Sequence, residues 1–175
     1  ALPIFTSDKF QPYQLVTYMF MHATRDAANS IVITHILFNM FALYMFGSLL
    51  EKYWGARRFL IFYMITGIGA GLIQMFVTYL RIRYLLPDVP ATELNELLTR
   101  GGQIIDEGKN FINPAAAEVN ILMYTVNIGA SGAIFGILVA FGMLFPNTEL
   151  YLMFIPIPIK AKYAVILYGV VELFL

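Results

Sequence analysis

From Phe59 to Leu80 the chain carries no charged side chain. A helix needs about 20 mainly apolar residues to cross the hydrocarbon of a bilayer, so this run is long enough to span one. The feature recurs. Ile31 to Leu50 is uncharged, with His35 and Asn39 as its only strongly polar groups, and Ile121 to Phe145 is a third uncharged run. Ala161 to Leu175 begins a fourth, with Glu172 inside it. Any one of these suits the buried helix of a large soluble protein. Four within 175 residues exceed what a soluble core of that size needs. Charged residues make up 13% of the chain and hydrophobic ones 59%, with a mean hydropathy of +0.72. Soluble domains carry about 25% charged residues. The expected solvent is therefore lipid.

The same inventory excludes other classes. A formal net charge of zero offers no electrostatic footprint for nucleic acid. Cysteine is absent, which rules out disulfides and thiolate metal sites. Two histidines leave little room for a histidine metal centre, so no metal and no cofactor are expected. The chain begins at Ala1 without a signal-peptide pattern and is still apolar at Leu175. It reads as a piece of a longer protein.

Between the runs lie two segments of different character. Phe10 to His22 is apolar but interrupted by Gln11, Pro12 and Gln14. It is too short to span and suits the membrane interface, with Tyr13 and Tyr18 at headgroup level. Arg81 to Asn120 is a polar insert punctuated by Pro87, Pro90, Gly101, Gly102 and Pro114. Within it, Thr92 to Leu98 is expected to form a short surface helix capped by Thr92. No catalytic role is assigned to the insert. Lys52, Arg57 and Arg58 in one connection, and Lys160 and Lys162 in another, place those loops on the cytoplasmic side. The insert and the Phe10 to His22 segment then face outward.

Small residues recur at helical spacing, Gly67 with Gly71 and Gly132 with Gly136 and Ala140, which lets helices approach closely in lipid. Packing explains the first pair. For Gly132, packing and site geometry are both open. His35 and Asn39 stand four residues apart and share one helix face. A polar residue inside a membrane helix is a functional candidate, and two on one face strengthen the case beyond an interhelical hydrogen bond. Ser131 lies in Gly129-Ala-Ser131-Gly132, with too few apolar residues after it for a full span. A helix starting at this point begins partway into the membrane, where irregular backbone must line water or protein. Its first turn leaves backbone N–H groups free, and these with the helix dipole favour a developing oxyanion. The pattern is not the G-x-S-x-G elbow, because position 133 is alanine.

These motifs together resemble the rhomboid intramembrane serine proteases. The likeness rests on Gly129-Ala-Ser131-Gly132, on His35-Ile-Leu-Phe-Asn39, and on the flanks Pro12 to His22 and Gly47-Ser-Leu-Leu-Glu51-Lys-Tyr-Trp-Gly55. It covers nearly the whole chain except the insert. The resemblance implies an all-α, polytopic membrane helix bundle whose short central helix starts mid-membrane at the nucleophile. It implies one domain over residues 1–175, incomplete, with residues 81–120 as an outward insert, in a bacterial plasma membrane. By the same resemblance Ser131 is the nucleophile. His35 and Asn39, with Gly129 beside them and the Ser131 backbone N–H, polarise the substrate carbonyl. His22 and Gly132 support the cavity, while Glu51 and Gly136 are structural. Phe135 takes a place where such enzymes often carry a tyrosine packed beneath the catalytic histidine.

One departure is large. The family draws its general base from a histidine on its sixth helix, and this chain runs only into the fifth. The expected activity is endopeptidase cleavage of single-pass transmembrane proteins, by a Ser-His dyad whose histidine lies outside these residues. Membrane lipid is the other implied partner, and the oligomeric state is open. Two alternatives remain: a catalytically inactive relative that binds transmembrane helices, and a transporter whose broken helix lines a path. No inverted repeat supports the second.

Overall fold

The computed structural model describes residues 3, 10–21, 34–124, 126, 128–151 and 158–174. The chain divides into two compact units, Ala1–Met21 with Gly69–Ile128, and His22–Ile68 with Gly129–Leu175. Apart from one small ladder the described residues are all-α.

In the first unit Gln14–Thr17 (α1) continues into a 3₁₀ turn at Tyr18–Phe20. Tyr18 and Met19 are buried there while Tyr13 and Phe20 are exposed, an amphipathic segment rather than a span. Within the second unit Thr34–Ala42 (α2), a π-helical turn at Leu43–Gly47 and Ser48–Trp54 (α3) follow one another without a break. Gly55, at φ +82, ends this run. Ala56–Leu85 (α4) is a helix of 30 residues, whose residues 56–68 belong to the second unit and 69–85 to the first. Together with the turn after it, Ala56–Asp88 is the one stretch among the described residues long and apolar enough to cross a membrane.

The insert is more ordered than its glycines and prolines suggest. Ala91–Asp106 (α5) extends well past the expected Thr92 to Leu98, and its N-cap is Pro90, with no side-chain cap. Gly101 and Gly102 do not end it. A Cβ at Gly101 would collide with Asn120 Oδ1 and Tyr124, so the glycine is where Pro114–Tyr124 (α6) comes closest. The Tyr124 hydroxyl donates to the backbone carbonyl of Leu97 at 3.1 Å. Asn113 caps α6 by accepting the Ala116 N–H at 2.9 Å, and Pro114 stands at its first position, where a missing N–H does no harm. Leu97, Ala116 and Val119 are fully buried with Ile82 and Val89. The hairpin therefore has its own apolar core, built on the end of α4.

The expected third run, Ile121 to Phe145, is two helices rather than one. α6 ends at Tyr124 and Ser131–Leu144 (α7) starts anew, with Gly129 at φ +121 in between. A residue with a Cβ rarely adopts that backbone angle, which is why the break falls on a glycine. After α7 comes a feature the sequence reading missed. Glu149–Tyr151 (β1) pairs antiparallel with Pro158–Lys160 (β2), setting Glu149 opposite Lys160. Ala161–Phe174 (α8) follows. Both α7 and α8 are apolar but too short to pass the test that α4 passes.

Candidate active site

In the second unit α7 is the shared neighbour of the other helices. Ala130, Ile134 and Leu138, at successive turns, pack with Ala42, Leu43 and Phe46 on one side and with Val165 and Tyr168 of α8 on the other. Gly136 turns to α4: a Cβ there would stand 2.7 Å from the Cβ and Cγ2 of Thr66. The close helix spacing that the small residues predicted is realised here.

The start of α7 has the properties of an anion site. Ser131 is its first residue and is half-buried, and the N-cap Ala130 supplies no side chain to the helix end. The Ile134 N–H reaches the Ala130 carbonyl at 3.0 Å, which closes the first turn. The N–H groups of residues 131–133 precede it and have no carbonyl within the helix to bond. They carry the positive end of the helix dipole. Among the described residues the Ser131 hydroxyl has no hydrogen-bond partner.

Asn39 is drawn alongside the N-terminal half of α7. Phe46 meets Phe141 with ring centroids 5.0 Å apart, and Tyr53 meets Phe145 at 5.4 Å. The chain through α2 and α3 therefore runs alongside α7 in the same direction. Asn39, Ala42, Leu43 and Phe46 form one stripe at helical spacing. The last three lie against α7, which carries Asn39 towards the first turn of α7. Asn39 is only 5% exposed. His35, one turn earlier in the same register, lies in α2, but its side chain is outside the described residues. His22 is outside them altogether.

The remaining expected site residues divide by environment. Phe135, one turn after Ser131, is 38% exposed and stacks on Tyr168 of α8 at 6.0 Å. Gly132 is half-buried in the first turn. The Glu51 side chain is exposed and makes no hydrogen bond or ion pair among the described residues; its backbone carbonyl accepts the Gly55 N–H at 2.7 Å. Sequence reasoning also overlooked a cavity of about 350 Å³ between α3 and the end of α7, lined by Leu49, Lys52, Tyr53, Phe141, Phe145 and Thr148. Its signal was available: Leu49 with Tyr53, and Phe141 with Phe145, are pairs at four-residue spacing.

Among the described residues the fold is helical, with one bilayer-length helix and a serine at the mouth of a short apolar helix. Residues 9–86 match the family model described as Rhomboid domain, and that match supports a rhomboid-family protein. The matched stretch contains His35, Asn39 and Glu51 and stops before Ser131. The rhomboid family is membrane-embedded and consists in general of intramembrane serine proteases acting on membrane proteins. No curated protein and no solved structure gives a significant match to the chain.

Proposed function

We propose that the protein is an intramembrane serine endopeptidase that cuts membrane-anchored proteins in or near their transmembrane segment. The observation that carries this reading is the placing of Ser131 at the uncapped start of α7, one residue after Ala130 and two after the positive-φ Gly129. The Asn39 stripe packs along the same helix.

Ser131 Oγ attacks the carbonyl carbon of the scissile peptide, and its proton passes to a general base. The carbonyl oxygen takes the negative charge and is held by the Ser131 N–H, Asn39 and His35, with Gly129 giving the backbone its turn. Collapse of the intermediate breaks the C–N bond, the amine leaves with a proton, and an acyl-serine remains. Water then adds and releases the acid. The base is a histidine other than His35, because His35 cannot donate to the oxyanion and accept the serine proton at once. Gly132 and His22 support the cavity, Phe135 packs within it, and Gly136 and Glu51 are structural. Residues 1–175 act as one membrane domain of several spans in a bacterial plasma membrane, and residues 81–120 face outward.

A fluorophosphonate probe tests the nucleophile. Labelling of Ser131 in the complete protein is expected, and cleavage of a transmembrane substrate that survives Ser131→Ala removes the serine-protease reading. Single cysteines at Arg57 and Glu96 test orientation with an impermeant thiol reagent on intact cells. Labelling at Glu96 alone is expected, and labelling at Arg57 alone inverts the topology.

A further inference from the structure

Where α3 ends, α4 and α8 begin and α7 ends, the second unit collects cations. Lys52, Arg57, Arg58, Lys160 and Lys162 stand against only two carboxylates, Glu51 and Glu149. Backbone hydrogen bonds hold these segments together: the Ala161 N–H donates to the Thr148 carbonyl at 2.8 Å and the Lys162 N–H to that of Pro146 at 3.3 Å. Lys160 faces Glu149 across the ladder, and Lys162 Nζ lies 5.0 Å from the Tyr163 ring. Lys52, Arg57 and Arg58 enter no ion pair among the described residues.

Beside Lys52 opens the cavity of about 350 Å³, and its walls are almost wholly apolar: Leu49, Tyr53, Phe141 and Phe145, with Thr148. Small-molecule sites occupy about 300–1,000 Å³ and combine apolar walls with a few placed polar groups. One cation at the rim of an apolar hollow selects an amphiphile with an anionic head. A soluble anion would leave the aromatic wall unused. A neutral lipid would leave Lys52 unused. In a membrane-embedded family the amphiphile at hand is phospholipid, and basic pockets between helices bind anionic headgroups.

We propose that this cavity binds one anionic phospholipid, with its phosphate at Lys52 and the start of an acyl chain against Tyr53, Phe141 and Phe145. The lipid joins α3 to the end of α7 and so stabilises the helix that carries Ser131. Binding to the folded state raises apparent stability by mass action.

The test uses the complete protein purified in detergent, titrated with phosphatidylglycerol or phosphatidylcholine. Bound lipid is counted by native mass spectrometry and the melting temperature is followed. One phosphatidylglycerol is expected to remain bound and to raise the melting temperature, and phosphatidylcholine is not. Lys52→Gln should weaken this binding about fivefold, in line with the contribution of one basic residue to anionic-lipid binding. Leu49→Trp, at a half-exposed wall position that tolerates change, should block the cavity and abolish the effect even if Lys52→Gln fails to fold. Arg57→Gln should leave binding within about twofold of the parent. Three results overturn the proposal: Lys52→Gln binding like the parent, Arg57→Gln weakening as much as Lys52→Gln, or chain-free glycerophosphoglycerol binding as well as the lipid. The second would mean diffuse surface charge, and the third a soluble-anion site. Ser131→Ala should bind the lipid normally, so failure of the protease reading leaves this result unaffected.

Discussion

In the unit that holds the α5–α6 hairpin, Arg81 pairs with Glu118, Arg100 with Glu96 at 3.6 Å and Lys109 with Glu107 at 2.8 Å. Two of its helix ends are closed, by Asn113 at the start of α6 and by the Lys109 N–H returning to the Ile104 carbonyl at 2.9 Å, while α5, like α7, starts without a side-chain cap. The other unit leaves comparable groups open. Lys52, Arg57 and Arg58 have no ion-pair partner among the described residues, and α7 begins without a side-chain cap. Apolar contacts do the holding there, through Phe46, Phe141, Phe145 and Tyr53 in edge-on or tilted ring contacts. The hairpin unit pairs six of its charges internally, yet among the described residues Arg83, Asp88, Glu93 and Asp106 enter no ion pair and Asn120 Oδ1 is buried without a hydrogen bond, so the difference between the units is one of degree. A region that holds itself with rings and leaves donors and cations open has chemistry to offer a substrate or a lipid.

That contrast breaks first at Ser131. Replacing it with alanine should lower cleavage of a transmembrane substrate by about 10⁴-fold or more, as loss of the nucleophile does in serine proteases, while circular dichroism and melting stay unchanged. Next come His35→Ala and Asn39→Ala, each expected to reduce kcat about 10²–10³-fold, as loss of one oxyanion donor does. An activity loss matched by an equal loss of folded protein would make either residue a packing element.

Gly136→Ala should destabilise the second unit by about 1–3 kcal/mol, because the new methyl must displace Thr66 from 2.7 Å. Gly69→Ala, with open space around it, is the control and should be neutral or stabilising. Equal melting temperatures for the two would deny the close approach of α7 to α4. The smallest effect belongs to the hairpin. Tyr124→Phe removes the hydroxyl bonded to the Leu97 carbonyl at 3.1 Å and should lower stability by about 0.5–1.5 kcal/mol with no change in kcat. A fall in kcat would show the hairpin to be coupled to the site.

Much of this was legible along the chain because lipid imposes a pattern. An uncharged run of bilayer length marks α4 from Phe59 onward, and the structure extends it only to Ala56 and Leu85. Gly129-Ala-Ser131-Gly132 marks a helix start, and α7 starts at Ser131. The insert was misread for a definite reason. Gly101 and Gly102 look like breakers when read locally, but against α6 the missing Cβ admits Asn120 and Tyr124, and packing then carries the helix through. Propensity is a weak prior that such contacts override.

Sequence alone marked His35, Asn39 and Ser131 as polar residues within uncharged apolar runs, where a buried polar group must find a partner. Uncharged runs of bilayer length also pointed to helix, since a helix satisfies its backbone hydrogen bonds within one segment. Tertiary structure decided which helices pack side by side. Residues 39 and 131 stand far apart in the chain, and only the packing of Ala42, Leu43 and Phe46 on Ala130, Ile134 and Leu138 draws the Asn39 stripe up to the start of α7. The cavity beside Lys52 was decided the same way. Each half of its wall is an ordinary pair of apolar residues on one helix face, and a hollow exists only when two such faces meet.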